Sequence, residues 1–324
     1  MYEGAPDFPA VDRWWDIIET YGVTTFYTSP TAIRMFMQKG EEWPAKHDLT
    51  TLELLGSVGE AINPEAWHWY YRHIGGERCP IVDTWWQTET GGIMISHAPG
   101  IELLPLKPGS AGFPLPGIDA DVVDEQGNPT APGERGLLII RQPWPGMLLT
   151  LYDDPARYKE TYWDRFPGCY YAGDYAIKDE EGYFWLLGRA DEVIKVAGHR
   201  LGTLEIENAV VSHPAVAECA AVSKPDPIKG EVIVVFAILR DGNEPSPELA
   251  KDISAHIRKV VGPIATPEKV FLVKKLPKTR SGKIMRRILK AVAMEAPVGD
   301  VTTLEDGASV EEAKKAYEEL KKQI

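Results

Sequence analysis

In the first hundred residues, short β-branched segments alternate with segments of helical periodicity. This alternation restricts the fold to architectures built on a parallel sheet. Val11, Trp14, Trp15 and Ile18 recur on one helical face, and the pattern breaks at Tyr21-Gly22. Residues 23–27 read as a strand, and 31–37 as a helix opened by Pro30. Residues 52–58 read as a strand running into the turn Gly59-Glu60. Asn63-Pro64-Glu65 opens the next helix, with Asn63 as N-cap and Pro64 at the first helical position. Residues 81–86 complete the series as a third strand. A parallel sheet wound on both faces is expected, with ligands beyond the strands' carboxyl ends.

From about Pro105 the texture changes. Glycine and proline become frequent, and short strands at 119–123, 136–141, 170–177 and 183–187 are separated by turns such as Glu180-Glu181-Gly182. An antiparallel, partly closed sheet or small barrel is expected there. After Gly188-Arg189-Ala190-Asp191 a third texture begins: helices at 204–211, 249–261 and 283–294, and strands at 216–223, 232–239 and 270–276. This is the pattern of a compact α+β unit, and a domain boundary is expected near 189–191. In the tail, Ser309 and Glu312 have capping-box spacing, and Val310, Ala313, Tyr317, Leu320 and Ile324 share a face, so a terminal helix docked on the body is expected.

Composition narrows the function classes. With 324 residues, 44% hydrophobic and 26% charged, the chain reads as about two globular domains. A net charge of -13 disfavours nucleic acid and anionic membranes as partners. The basic run Lys274, Lys275, Lys278, Arg280, Lys283, Arg286, Arg287 and Lys290 lacks the interleaved aromatics of a nucleic-acid surface. Cys79, Cys169 and Cys219 have neither disulfide nor metal spacing and fit a reducing compartment. The N-terminus has no signal-peptide pattern, and the longest apolar run, 232–239, is too short for a bilayer, so a cytoplasmic location is expected.

The segment with most chemistry is Asp83-Thr84-Trp85-Trp86-Gln87-Thr88-Glu89-Thr90-Gly91-Gly92, at the end of the third strand. Thr88 can donate to a phosphate, Glu89 can hold Mg²⁺, and the paired tryptophans can wall a small pocket. Four further segments accompany it: Gly56-Ser57-Val58-Gly59-Glu60-Ala61-Ile62-Asn63-Pro64; Tyr171-Ala172-Gly173-Asp174; Gly188-Arg189-Ala190-Asp191-Glu192 with Ala197-Gly198-His199-Arg200; and Pro277-Lys278-Thr279-Arg280-Ser281-Gly282-Lys283. Together they resemble the adenylate-forming superfamily, and the Trp-Trp version resembles its AMP-forming acetyl-CoA synthetases.

The resemblance covers essentially the whole chain and begins midway through that family's large domain. It implies that residues 1–104 are the remainder of an α/β AMP-binding subdomain and 105–188 a β-barrel-like one. It further makes 189–191 a hinge and 192–324 a small mobile α+β domain. Its substrates would be ATP, CoA and acetate, with Mg²⁺. The nucleotide would be held by Gly59, Glu60, Ala61, Asp83, Thr84, Trp85, Trp86, Gln87, Thr88, Asp174, Arg189 and Arg200. Asp174 would take the ribose hydroxyls, and Val58 and Trp86 would line the acetate pocket, with Trp86 limiting the acid's length. Ala197, Gly198 and Arg258 would serve CoA, and Asp191 would be the pivot. Lys283 would bridge the acid's carboxylate and the α-phosphate, neutralising charge that develops in adenylation. Glu89 would hold Mg²⁺. Val211, His213 and Val216 match a second cation position, although a His-Pro pair is also an ordinary helix end.

Three departures stand out. Ala61 replaces the family's usual proline, Ala197 its frequent serine, and Asp7 an asparagine that contacts CoA. No Gly-rich loop that could cradle the β- and γ-phosphates occurs in the sequence. Two readings therefore stay open: the chain acts in acetate activation with a missing N-terminal half as partner, or it is a non-catalytic fragment or subunit. Propionate in place of acetate is a third possibility, since one methylene separates them.

Overall fold

The computed structural model describes residues 1–311 apart from 198, 280–282, 300, 303 and 305–306. They fall into two units, Met1–Asp191 and Glu192–Ile324. In the first, helix α1 (Arg13–Tyr21) ends where Gly22 turns left-handed at φ 59° and donates its amide to the carbonyls of Glu19 and Ile18. Strand β1 (Thr25–Thr28) leads into α2 (Pro30–Lys39), whose first turn is capped by Ser29 Oγ accepting from the amide of Ala32. Strand β2 (Leu54–Ser57), helix α3 (Pro64–Trp69) and strand β3 (Ile81–Trp85) follow. Asn63 has the extended backbone of an N-cap, but its side chain does not cap: Nδ2 donates to Glu65 at 2.9 Å instead.

β1, β2 and β3 pair in parallel, in a register that sets Thr28 beside Ser57 and Ser57 beside Asp83. Two short strands that carry no clear sequence signal, β4 (Ile95–Ser96) and β5 (Phe113–Pro114), extend this sheet antiparallel. Trp15, Phe36, Leu52, Leu55 and Tyr70 form the core between helices and sheet. The Tyr70 hydroxyl is satisfied there by the carbonyl of Phe26 at 3.0 Å.

The second sheet is an antiparallel meander of β6 (Ala120–Val123), β7 (Arg135–Ile140), β8 (Tyr170–Lys178) and β9 (Phe184–Arg189). Helix α4 (Pro155–Tyr162) lies between β7 and β8 in sequence. A bridge between Gly112 and Phe184 ties β9 to the segment leading into β5. Trp85, Ile95, Leu138, Trp144 and Tyr170 share one buried cluster, so the end of β3 and the meander pack together.

In the second unit, a hairpin of β10 (Ile194–Val196) and β11 (His199–Leu201) precedes α5 (Thr203–Val211). The long strands β12 (Val216–Asp226) and β13 (Gly230–Leu239) pair antiparallel, and β14 (Lys269–Leu272) joins β13 in parallel. Helix α6 (Pro247–Val260) covers one face with α5, and α7 (Arg286–Ala293) the other. The expected helix from 283 starts instead at Arg286. The backbone before it is used otherwise: Lys283 accepts from the amide of Thr279, and Met285 donates to Pro277. The tail expected to be helical is so at 308–311; 312–324 lie outside the described residues. Among the described residues no helix is long and apolar enough to cross a membrane.

Candidate active site

The end of β3 and the turn after it are fixed by hydrogen bonds that cross the unit. Residues 88–90 form a single tight helical turn, with Thr90 Oγ1 accepting from the amide of Gln87 at 3.0 Å. Gly91 follows at φ 69°, where a Cβ would lie 2.2 Å from the carbonyl oxygen of Gly146. The Trp144 indole donates to the carbonyl of Thr90 at 2.7 Å. The turn is thus clamped before any ligand arrives.

From this turn Gln87 reaches across to β8. Its Nε2 donates to the carbonyl of Ala172 at 2.7 Å and to Asp174 Oδ2 at 3.0 Å, while its Oε1 accepts from the Tyr170 hydroxyl at 2.8 Å. Trp85 Nε1 donates to the same Asp174 oxygen at 3.1 Å. Asp174 is buried, and in the β8–β9 register it faces Arg189, whose Nη1 stands 3.9 Å from Oδ1. A carboxylate, an amide and a guanidinium are thereby gathered at a strand's carboxyl end.

Gln87 and Arg189 line a cleft of about 400 Å³ with Glu89, Thr161, Tyr162, Arg165, Tyr171, Ala172, Gly173 and Ala190. Glu89 is held in it by the Tyr162 hydroxyl, which donates to Oε1 at 2.6 Å. Burial and this bond to a carboxylate push the Tyr162 phenol up to about 12, so it stays a donor at neutral pH. The ring of Tyr162 stacks on Tyr170, centroids 5.4 Å apart and planes within 9°. Arg165 donates to the Tyr171 hydroxyl at 2.9 Å and pairs with Glu125. Two arginines and one carboxylate facing a common space suit an anionic ligand, and Glu89 is a hard oxygen donor suited to a divalent cation.

The other expected nucleotide residues of this unit do not line the cleft. Trp86 is 44% exposed and Thr88 exposed. Thr84 is buried, its hydroxyl donating to the carbonyl of Ser57 at 2.9 Å and contacting the Tyr27 hydroxyl at 2.6 Å. In the turn after β2, Gly59 sits at φ 100° beside open space, and Val58 and Ala61 are half-buried. Glu60 pairs with Arg34 at 2.7 Å and accepts from Thr31, so its carboxylate braces the turn against α2. Asp83 is buried next to Ser57, and both Asp83 Oδ1 and Ser57 Oγ lack a partner within hydrogen-bond geometry. Burial pushes the Asp83 carboxyl up to about 7, against the pull of Ser57 and the amides of Ile62 and Thr84.

In the second unit Lys283 is exposed in the turn before α7, its amide donating to Thr279 Oγ1 at 3.2 Å. Arg280, Ser281, Gly282 and Gly198 lie outside the described residues. Ala197 adopts a left-handed φ of 48°, Arg200 lies in β11, Arg258 is exposed on α6, and Asp191 lies in the turn 190–192. Of the expected second cation site, Val211 ends α5, and His213 has both ring nitrogens engaged: Nδ1 accepts from the amide of Ala215 and Nε2 donates to Asp252 at 3.1 Å. The carbonyl of Val216 accepts from Arg240 Nε at 2.9 Å. Each of these two groups thus already carries a hydrogen bond, while the carbonyl keeps its second lone pair. Among the described residues no three His, Cys, Asp or Glu side chains group as metal ligands.

Sequence reading missed the wall built by α4 and the turn after it: Thr161, Tyr162 and Arg165 belong to no expected site. The helix had one local signal, Asp154 before Pro155, and Asp154 does cap it by accepting from the amide of Arg157 at 3.0 Å.

A family model described as "AMP-binding enzyme" matches residues 1–150, and one described as "AMP-binding enzyme C-terminal domain" matches 205–283. The chain is 66% identical over all 324 residues to the acetyl-coenzyme A synthetase of Pyrobaculum aerophilum, covering 48% of that protein. It is 55% identical over 320 residues to that of Chlorobaculum tepidum, covering 98% of this chain and 48% of the relative. The chain thus spans about half the length of the curated relatives it matches. The crystal structure of the anthranilate CoA ligase AuaEII in complex with anthranoyl-AMP superposes with a TM-score of 0.79 at 28% identity, covering 91% of this chain and 54% of that one.

Proposed function

Since the chain belongs to the AMP-binding enzyme family, we propose that it serves acetate activation within an enzyme of its relatives' full length. The reaction is acetate plus ATP to acetyl-adenylate and pyrophosphate, followed by attack of the CoA thiol to give acetyl-CoA and AMP. One observation carries this reading: Asp174 is fixed by Trp85 and Gln87 and faces Arg189, and Gln87 and Arg189 line a cleft together with Glu89. Asp174 takes the ribose 2′- and 3′-hydroxyls, and Arg189 the phosphate chain. The turn 58–61 and residues 83–88 enclose the adenine and the acetate, with Val58 and Trp86 shaping the acid pocket.

Glu89 would hold Mg²⁺, which supplies charge neutralisation on the phosphates. Lys283 carries the adenylation step by bridging the carboxylate and the α-phosphate, where negative charge grows. Arg200 contacts the phosphates. Ala197, Gly198 and Arg258 serve CoA once the 192–324 domain has turned about Asp191. Val211, His213 and Val216 would hold a second cation through two main-chain carbonyls and the imidazole, which would exchange its Asp252 contact for the ion.

The test is acetate-dependent exchange of labelled pyrophosphate into ATP by the protein at its relatives' full length. Exchange with acetate, and none without it, is expected. Because the sequence holds no phosphate-cradling loop, the 324-residue chain by itself should give none. Exchange that ignores acetate, or that survives Asp174→Ala undiminished, would overturn the reading.

A further inference from the structure

Lys283 sits on a backbone ladder whose two ends are tied to buried carboxylates. Thr279 donates its amide to the carbonyl of Lys283, Met285 donates to Pro277, each at 2.8 Å, and Lys278 bridges Ile284. Ile284 and Met285 are buried while Lys283 is exposed, so the ladder has one face in the core and presents the lysine outward. At one end Lys278 Nζ donates to Glu218 Oε2 at 2.8 Å. At the other, Arg286 meets Glu207 fork to fork: Nε to Oε1 at 2.8 Å and Nη2 to Oε2 at 2.7 Å. Glu207 lies on α5 with its side chain 7% exposed, and Oε1 also accepts from the amide of Ala221 on β12 at 2.8 Å.

We propose that Glu207 and Glu218 are positioning residues for Lys283, fixing the segments 277–279 and 283–286 against α5 and β12. The inference rests on the reading that Lys283 acts in adenylation, and it adds residues that touch neither substrate. Burial of an ion pair is weak evidence for net stability, since apolar residues of similar volume often serve a fold as well or better. What a bidentate pair supplies is direction. It fixes the backbone within a few residues of a lysine whose ammonium must meet two oxygens at once. A misplacement of about 1 Å can cost on the order of 100-fold in rate.

Two variants in the full-length protein test this. Arg286→Lys keeps the charge and loses the fork. The double variant Glu207→Met with Arg286→Met removes the pair without leaving a buried charge. Both should lower kcat for acetate-dependent pyrophosphate exchange by roughly 10- to 100-fold. Both should leave formation of acetyl-CoA from supplied acetyl-adenylate and CoA within about twofold, because that step does not use Lys283. In the same variants, hydrogen exchange at the amides of Thr279 and Met285 should quicken while β13 and the amides of β12 other than Ala221, whose acceptor is Glu207 itself, stay protected. The proposal is overturned by unchanged exchange kinetics, by parallel loss of both half-reactions, or by unaltered protection at Thr279 and Met285. If Lys283→Ala itself retains full adenylation, the functional reading of Lys283 has failed instead, and the two failures are told apart by that single comparator.

Discussion

Arg189 rests on Gly173: a Cβ built on that glycine would lie 3.1 Å from both terminal nitrogens of the guanidinium, and Gly173 holds φ at 73°. Two independent demands therefore fall on one residue of β8. Any side chain there is strained by the backbone, and it also displaces the arginine from its place across from Asp174. Gly173→Ala should cost about 1–3 kcal/mol of stability from the backbone alone. On the proposed function, in the full-length protein it should weaken ATP binding more than Gly182→Ala, which also has positive φ but lies away from the cleft. Urea midpoints and nucleotide titration measure the two effects. Equal nucleotide affinities for the two variants would show that the close approach to Arg189 has no consequence.

Tyr162 and Glu89 are separated by 73 residues, yet one donates to the other at 2.6 Å. Tyr162→Phe keeps the ring stacked on Tyr170 and removes only the bond. A hydrogen bond to a charged group is worth roughly 1.5–3 kcal/mol, and the partly open cleft puts this one at about 1–2. A double-mutant cycle with Glu89→Ala, which removes the acceptor, should return a coupling of that order in urea unfolding. Additive losses would mean that the two side chains are neighbours without mutual support.

The same contact shows where sequence reading stops. The β-α alternation of the first hundred residues was legible because burial repeats with the period of each element: Trp15 and Ile18 on α1, Ile33 and Phe36 on α2. Helix α4 has no buried residue, so no periodicity marks it, and only its Asp154-Pro155 start could have been read. Residues brought together by packing leave no local trace at all. Asp174 meets Gln87 across 87 positions and Glu207 meets Arg286 across 79. Resemblance named Asp174 and Gln87 together, but nothing in spacing did. Asn63 shows the opposite failure, a correct local rule whose bond is not made: Nδ2 donates to Glu65 while Oδ1 accepts from no helix amide.

Asp83 makes the fold sensitive to pH. Its carboxyl titrates near 3.8 in the unfolded chain and near 7 when folded, because burial disfavours the anion. Between these values the folded state holds a proton that the unfolded state has released. The contribution to stability is present in full below about pH 4 and is lost as pH rises through about 7. It amounts to about 4 kcal/mol at most. Asp83→Asn cannot titrate, so its stability should fall less than the wild type's between pH 5 and pH 8, by roughly 2–3 kcal/mol. Parallel urea-unfolding curves for the two proteins across that range would place the proton elsewhere.

Trp86 follows β3 directly, one residue beyond the Trp85 indole that is fixed on Asp174, and it remains 44% exposed. Trp85 is therefore held as framework, whereas Trp86 is a large side chain with space on one side, suited to limiting an acid by its bulk. On the proposed function, Trp86→Gly in the full-length protein removes that limit while the Trp85, Gln87 and Asp174 contacts stay. A methylene in an apolar pocket is worth about 1–3 kcal/mol, or roughly 10- to 200-fold in kcat/KM. The ratio of kcat/KM for butyrate over acetate should accordingly rise by at least about tenfold, with ATP binding little changed because its contacts lie elsewhere. A rise in KM for every acid alike would make Trp86 a general wall of the site. An unaltered ratio would remove it from chain-length selection, and Val58 would then be the residue to vary.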